Sequence, residues 1–217
     1  ASMAAAARIE AAERALAADR TSGAAQMAVA AVRALGDIAA AAPEHAAAAA
    51  AALRAARPSM QAVHNLVTRW ERRWTAETAR TPSAAKSVTA AVEAEARAAK
   101  DACVRHAAAH VAALQAAHGG PVATHSLSST VVAVLQALPS GVAVVVSESR
   151  PLNEGAQLAR QLADAGRRVT LVTDAQLGLA VPTACCVVVG ADTVGPGLYQ
   201  RHTKQSNNNK KNENGRE

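Results

Sequence analysis

The chain has 217 residues, half of them apolar, yet aromatic residues make up 1% and Phe is absent, so any core must be assembled from Ala, Val and Leu. The formal charge of +6 invites a nucleic-acid partner, but the excess is divided between the polar end of the chain and arginines scattered on helical stretches. With two Trp and one Tyr there are too few stacking platforms for single-stranded bases, and direct nucleic-acid binding ranks low.

In chain order, apolar residues first recur at helical spacing with few strand formers. The pattern predicts helices over 4–17, 23–41, 44–55, 60–74 and 84–117, with Pro43, Pro58 and Pro82 where proline suits a helix start. The arginine and glutamate residues that interrupt the first helix exclude a signal segment or a membrane span there. This part, 1–118, reads as a helical amino-terminal domain.

After Gly119-Gly120-Pro121 the regime changes. Short apolar runs at 122–124, 142–146, 169–172 and 185–189 alternate with helical patterns at 130–138 and 154–165, and Gly166 ends the second of these. Strands alternating with helices mean βαβ units and a parallel sheet, so the fold class is α/β and 119–194 reads as the front half of a doubly wound domain. A sheet that stops after four strands leaves its last strand as an apolar edge. The segment 195–217, rich in Asn, Lys, Gln and Glu, is too polar to bury and is expected to be disordered.

The polar segments Glu148-Ser149-Arg150-Pro151 and Gly190-Ala191-Asp192 follow buried runs, at the carboxyl ends of two strands, and that edge is where open α/β sheets bind ligands. Ser126, Ser128, Ser129 and Thr130 fall between a strand and a helix, a setting for a helix cap and for an anion cradle. Arg20 and Arg57 each precede a predicted helix; each is either a phosphate ligand or an exposed arginine. Gly23 either admits a ligand close to the backbone or simply starts a helix. Arg150 is a second basic candidate, or a partner of Glu148 or Asp174. His106 and His110 share a helical face without a third ligand, so no metal is expected. Trp70 and Trp74 share another, for packing or an interface. Cys103, Cys185 and Cys186 have neither metal-ligand spacing nor an even count, which fits a reducing, cytoplasmic compartment.

Taken in order, the segments Asp19-Arg20-Thr21-Ser22-Gly23-Ala24, Arg57-Pro58-Ser59-Met60 with Asn65, Thr124-His125-Ser126 with Ser128-Ser129-Thr130-Val131, Glu148-Ser149-Arg150-Pro151 and Gly190-Ala191-Asp192 resemble the translation initiation factor 2B alpha/beta/delta family. That family includes methylthioribose-1-phosphate and ribose-1,5-bisphosphate isomerases, and the likeness runs from about Arg20 to Val194. It implies a helical domain packed on a partial Rossmann-like domain, with a phosphorylated sugar or nucleotide bound between them and no cofactor. It implies Asp192 as the catalytic acid or base, and Arg20, Gly23, Arg57, Ser126, Ser128, Ser129 and Arg150 as binding residues. The isomerases carry a Cys where this chain has Ser126, and a hydroxyl does not replace a titratable thiol without a strong partner. The resemblance therefore implies ligand binding ahead of catalysis. Its alternatives are a regulatory subunit, assembling as a homo-oligomer or with family homologues, and an aldose-to-ketose isomerase. Because the matching motifs stop at Val194, the chain is expected to be a truncated member.

Overall fold

The computed structural model describes residues 2–19 and 22–191. Five helices come first: α1 (Ser2–Ala18), α2 (Ala24–Ala41), α3 (Ala46–Ala56), α4 (Gln61–Ala76) and α5 (Pro82–His118), with a short 3-10 turn at Pro43–His45 before α3. Proline sets two of these boundaries, whereas Pro58 lies in the turn between α3 and α4 and does not open a helix. Pro43 opens the 3-10 turn and Pro82 opens α5, where Thr81 accepts a hydrogen bond from the Ala84 amide at 3.1 Å. The predicted helix over 44–55 is therefore a 3-10 turn followed by a helix.

The Ala-rich composition allows the helices to approach closely. Ala28, Ala31 and Ala39 of α2 and Ala49 and Ala50 of α3 are buried around Val32, Leu35, Leu53, Val63 and Val67. A Cβ on Gly36 would lie 2.1 Å from Thr89 Oγ1 on α5, so this crossing requires a residue with no side chain. Trp70 is fully buried, its ring stacked on Trp74 with centroids 5.4 Å apart, and its indole N–H donates to Thr89 Oγ1 at 2.9 Å. The tryptophan pair is thus a packing element. By length and composition α2 alone among the described helices is apolar enough to cross a membrane, and its place in this core accounts for that.

The second half alternates strand and helix: β1 (Val122–Thr124), α6 (Ser129–Ala137), β2 (Val144–Ser147), α7 (Glu154–Asp164), β3 (Val169–Val172), α8 (Asp174–Ala180) and β4 (Cys186–Val188), with a 3-10 turn at Val181–Thr183. The strands form one parallel sheet in the order β3-β2-β1-β4. Val122, Ala123 and Thr124 are in register with Val144, Val145 and Val146 on one side and with Cys186, Val187 and Val188 on the other. The α/β expectation holds. The helical periodicity does not reveal α8, although Thr173 accepts from the Gln176 amide while Gln176 Oε1 accepts from the Thr173 amide, a reciprocal cap legible as T-D-A-Q.

α5 joins the halves. At 1.5 Å per residue its 37 residues run about 55 Å, long enough to serve two cores. Ala85, Val88 and Val92 pack in the first, while Ala108 and Val111 pack in the second with Val131, Leu135, Val144, Leu158 and Leu162. The change of core therefore falls within α5, ahead of the sequence boundary at Gly119.

Candidate functional site

Strand order decides where a ligand can sit. The chain runs outward from β1 to β2 and β3, then returns to place β4 on the other side of β1. That reversal makes the carboxyl ends of β1 and β4 the switch point of the sheet, where crossover connections part and leave a crevice. A cleft of about 380 Å³ opens there, lined by Gly23, Ala24 and Ala25 from the start of α2, Ala62 of α4, His125 to Thr130 after β1, and Val189, Gly190 and Ala191 after β4.

The cleft brings together Gly23, Ser126, Ser128 and Ser129, residues from both halves of the chain. Gly23 precedes α2, and its amide donates to Gln26 Oε1 at 3.0 Å. Ser128 precedes α6 and caps it, its Oγ accepting from the Val131 amide at 3.4 Å. Ser129 Oγ lies 3.4 Å from Lys100 Nζ of α5. Two helix amino-termini, each with unspent backbone N–H groups, therefore face one hollow, and the positive ends of their dipoles favour an anion in it. Gly190 lets the end of β4 approach: a Cβ there would lie 2.8 Å from Ser128 Oγ.

Behind the cleft stands a polar network that the sequence motifs only partly named. Ser126 takes up a left-handed backbone, φ 63°; its amide donates to Ser149 Oγ at 2.7 Å and its hydroxyl to Glu154 Oε2 at 2.9 Å. Ser149 is buried, also with positive φ, and its amide donates to Asp174 Oδ1 at 2.8 Å. His125 Nδ1 is 2.7 Å from Ser147 Oγ and 3.8 Å from Asp174 Oδ1. A Ser–His–Asp triad needs the serine and the carboxylate on opposite ring nitrogens, whereas here both lie at Nδ1. The network thus positions the loop after β1 without activating a serine. Asp174 is held below the usual carboxylate range by the Arg150 and Ser149 amides, with smaller help from Ser147 and His125. Glu154, Ser149, His125 and Asp174 were absent from the predicted site set; their shared signal is a place at a strand end or in the first turn of a helix.

Two of the remaining candidates, Arg57 and Arg150, lie elsewhere. Arg57 follows α3, and its guanidinium donates to the carbonyl oxygens of Leu16, at 3.0 Å, and of Asp19. It fastens the end of α1, and so draws the Arg57 motif to the Asp19–Ala24 motif. Arg150 is exposed, its Nε 3.5 Å from Glu148 and its amide donating to Asp174 Oδ2 at 2.8 Å. Neither side chain is among those lining the cleft. Arg20 and Asp192, with the segment 195–217, lie outside the described residues. Burial, with Cys185 beside it, pushes the Cys186 thiol up to about 11, so it carries no thiolate near neutral pH.

Comparison with known proteins gives a consistent picture. Residues 20–197 match the model of the initiation factor 2 subunit family. Over 79 residues the chain is 42% identical to a translation initiation factor eIF-2B subunit 2-like protein of Pyrococcus furiosus, covering 35% of this chain and 29% of that one. Over 79 residues it is 40% identical to ribose 1,5-bisphosphate isomerase of Archaeoglobus fulgidus, covering 35% of this chain and 25% of the isomerase. These matches thus span under a third of each relative. Among solved structures, translation initiation factor eIF-2B of Pyrococcus horikoshii OT3 superposes with a TM-score of 0.72 at 26% identity, over 86% of this chain and 67% of that one. The 5-methylthioribose 1-phosphate isomerase of the same organism shares the fold, with a TM-score of 0.56 at 19% identity, over 86% and 58% of the two chains.

Proposed function

Because the chain belongs to the initiation factor 2 subunit family, we propose that its cleft binds a phosphorylated sugar or nucleotide. One observation carries this reading: Gly23, Ser126, Ser128 and Ser129 meet at the switch point of the sheet, with two helix amino-termini facing the same space. Binding comes ahead of turnover. Ser126 hydroxyl is bonded to the Glu154 carboxylate, which accepts its hydrogen bond, but a carboxylate is too weak a base to make an alkoxide near neutral pH. In any turnover, Asp192 is the group assigned to carry the proton.

The test is a thermal-shift series on the purified chain with ribose 1,5-bisphosphate, 5-methylthioribose 1-phosphate and ribose 5-phosphate, repeated on Gly190→Val, which fills the cleft wall. A ligand at 100 times its dissociation constant adds about 2.7 kcal/mol, which raises the midpoint by roughly 5–10 °C at this chain length. A shift lost in Gly190→Val supports the reading. A clean melt unmoved by all three ligands overturns it.

A second reading, a subunit that assembles with homologues, draws on the edge strand. Val187 and Val189 are 47% and 59% exposed, and Leu179 and Val181 are exposed as well. Sedimentation that shows a monomer at all concentrations, alone and with a family homologue, would remove this reading.

A further inference from the structure

Cys185 and Cys186 bring the chain into β4, at the end of the strand away from the cleft, whose lining on this strand begins at Val189. Neighbouring side chains in a strand point to opposite faces, which would part the two sulfurs. Here they stand together, with Cys185 Sγ 3.8 Å from Cys186 Sγ. The entry to the strand is the cause. The 3-10 turn at Val181–Thr183 delivers the chain to Ala184, and Cys186 rather than Cys185 is the first residue of β4. Both backbones are fixed: the Cys185 amide donates to Pro121 O at 2.9 Å, and Cys186 is in register with Val122. Both side chains are half-buried against the second core, whereas Cys103 lies exposed on α5.

Bond geometry narrows what such a pair can hold. A direct disulfide fits poorly, because it usually joins Cα atoms about 4.4–6.8 Å apart, while neighbours across a trans peptide, as these are, stand about 3.8 Å apart. A bridging ion fits better. With metal–sulfur bonds of about 2.3 Å, a tetrahedral ion holds two sulfurs about 3.8 Å apart, which is the separation already present. Sulfur selects soft cations over calcium or magnesium. Among the described residues no group of three or more His, Cys, Asp and Glu is placed to hold an ion, so the other coordination positions fall to water or a small external ligand. A structural zinc site has all four positions closed by protein; this one leaves the ion exchangeable.

We propose that Cys185 and Cys186 chelate a thiophilic divalent cation of the zinc and cadmium type, one ion per chain, at the entry to β4. The site is separate from the cleft and does not rest on the phosphate-ester reading. Binding changes no oxidation state: two metal–sulfur bonds form, two waters leave the ion, and two thiol protons pass to solvent. Burial holds the Cys186 proton on its sulfur, but a coordinating thiol is deprotonated outright by the ion. The bound ion ties the 3-10 turn to the edge strand through both sulfurs.

Cadmium is the probe, because its thiolates absorb in the ultraviolet through charge transfer. Titration of the intact, reduced Cys103→Ser chain with Cd²⁺ is expected to give a band that saturates at one ion per chain, with two protons released per ion, and Zn²⁺ should compete it away. Cys185→Ser and Cys186→Ser, each in that background, should weaken binding tenfold or more. Adjacent thiols remain adjacent in the unfolded chain, so melting tests the folded arrangement: an ion bound better by the folded state raises the midpoint. A rise is expected with Cd²⁺ in the Cys103→Ser chain and none in either further serine variant. If one of these fails to fold, the other decides, together with the proton count. No band, a band that keeps its affinity in a folded serine variant, one ion per two chains, or a midpoint that stays or falls on adding the ion overturns the proposal.

Discussion

Gly155→Ala sets two effects of opposite sign against each other beside the site. Gly155 is the second residue of α7 and is buried. Helix propensity alone favours alanine there by up to about 1 kcal/mol. The structure opposes it: a Cβ would lie 1.7 Å from the Ser147 carbonyl oxygen, 2.8 Å from its carbon and 3.0 Å from Ser149 Oγ. Ordinary contact begins near 3.4 Å, so α7 must move off the end of β2 by well over an ångström. The obstacle is backbone in a parallel strand, which does not rotate away. Overpacking of this kind costs roughly 1–3 kcal/mol, occasionally more, and it strains the Gly155 amide bond to Glu148 O, 3.2 Å long. The net expectation is a loss of about 1–2 kcal/mol, a fall in urea midpoint on the order of 1 M at the usual denaturant slopes. Gly178→Ala is the internal control. Gly178 lies in α8 with nothing within 4 Å of the place a methyl group would occupy, so there propensity acts alone and the variant gains up to about 1 kcal/mol. If Gly155→Ala is as stable as the parent chain or more so, α7 does not pack on β2 in this way.

Further expectations concern separate elements. Thr89→Val leaves the Trp70 indole N–H without its acceptor in a closed core and should cost about 1–3 kcal/mol, while Thr89→Ser restores most of it; urea unfolding followed by tryptophan fluorescence decides, and a neutral Thr89→Val would contradict the assigned bond. Asp174 has its carboxyl held low by two backbone amides, so it stabilises the fold above the ordinary carboxylate value near 3.9 and loses that contribution as pH falls through its depressed folded value. Melting curves of Asp174→Asn and the parent chain should thus differ at pH 7 and converge in strong acid; a gap that widens in acid would refute the assignment. Arg57→Lys cannot reproduce a guanidinium fork on two carbonyls, and hydrogen exchange should quicken along the end of α1, with unchanged exchange as the contrary result.

Much of the fold was legible because local chemistry specified it. Val and Cys runs between helix-period segments mark the strands, and Gly166, at φ 77°, marks the end of α7. α8 was legible too, in the Thr173–Gln176 cap, but its seven residues give too little periodicity to be noticed. Strand order was not legible, since β4 joins β1 rather than β3 through a crossover that no local pattern records. The site divides in the same way. Ser128 could be read as a cap from its place before an apolar helix, whereas the meeting of Gly23 with Ser128 depends on how the bundle docks on the sheet. The partners of Arg57 were not legible for a physical reason: they are backbone carbonyls of Leu16 and Asp19, which side-chain chemistry does not reveal. Lys100 shows no motif at all, and only the path of α5 brings it to Ser129.

The most direct test of the central claim is an amide NMR titration of the chain with ribose 5-phosphate. Saturable shifts are expected to concentrate at the backbone amides of Gly23, Ser126, Ser129 and Gly190, with α1 and α3 silent. Saturable shifts confined to α1 and α3, or none at millimolar ligand, would contradict a phosphate site at the switch point of the sheet.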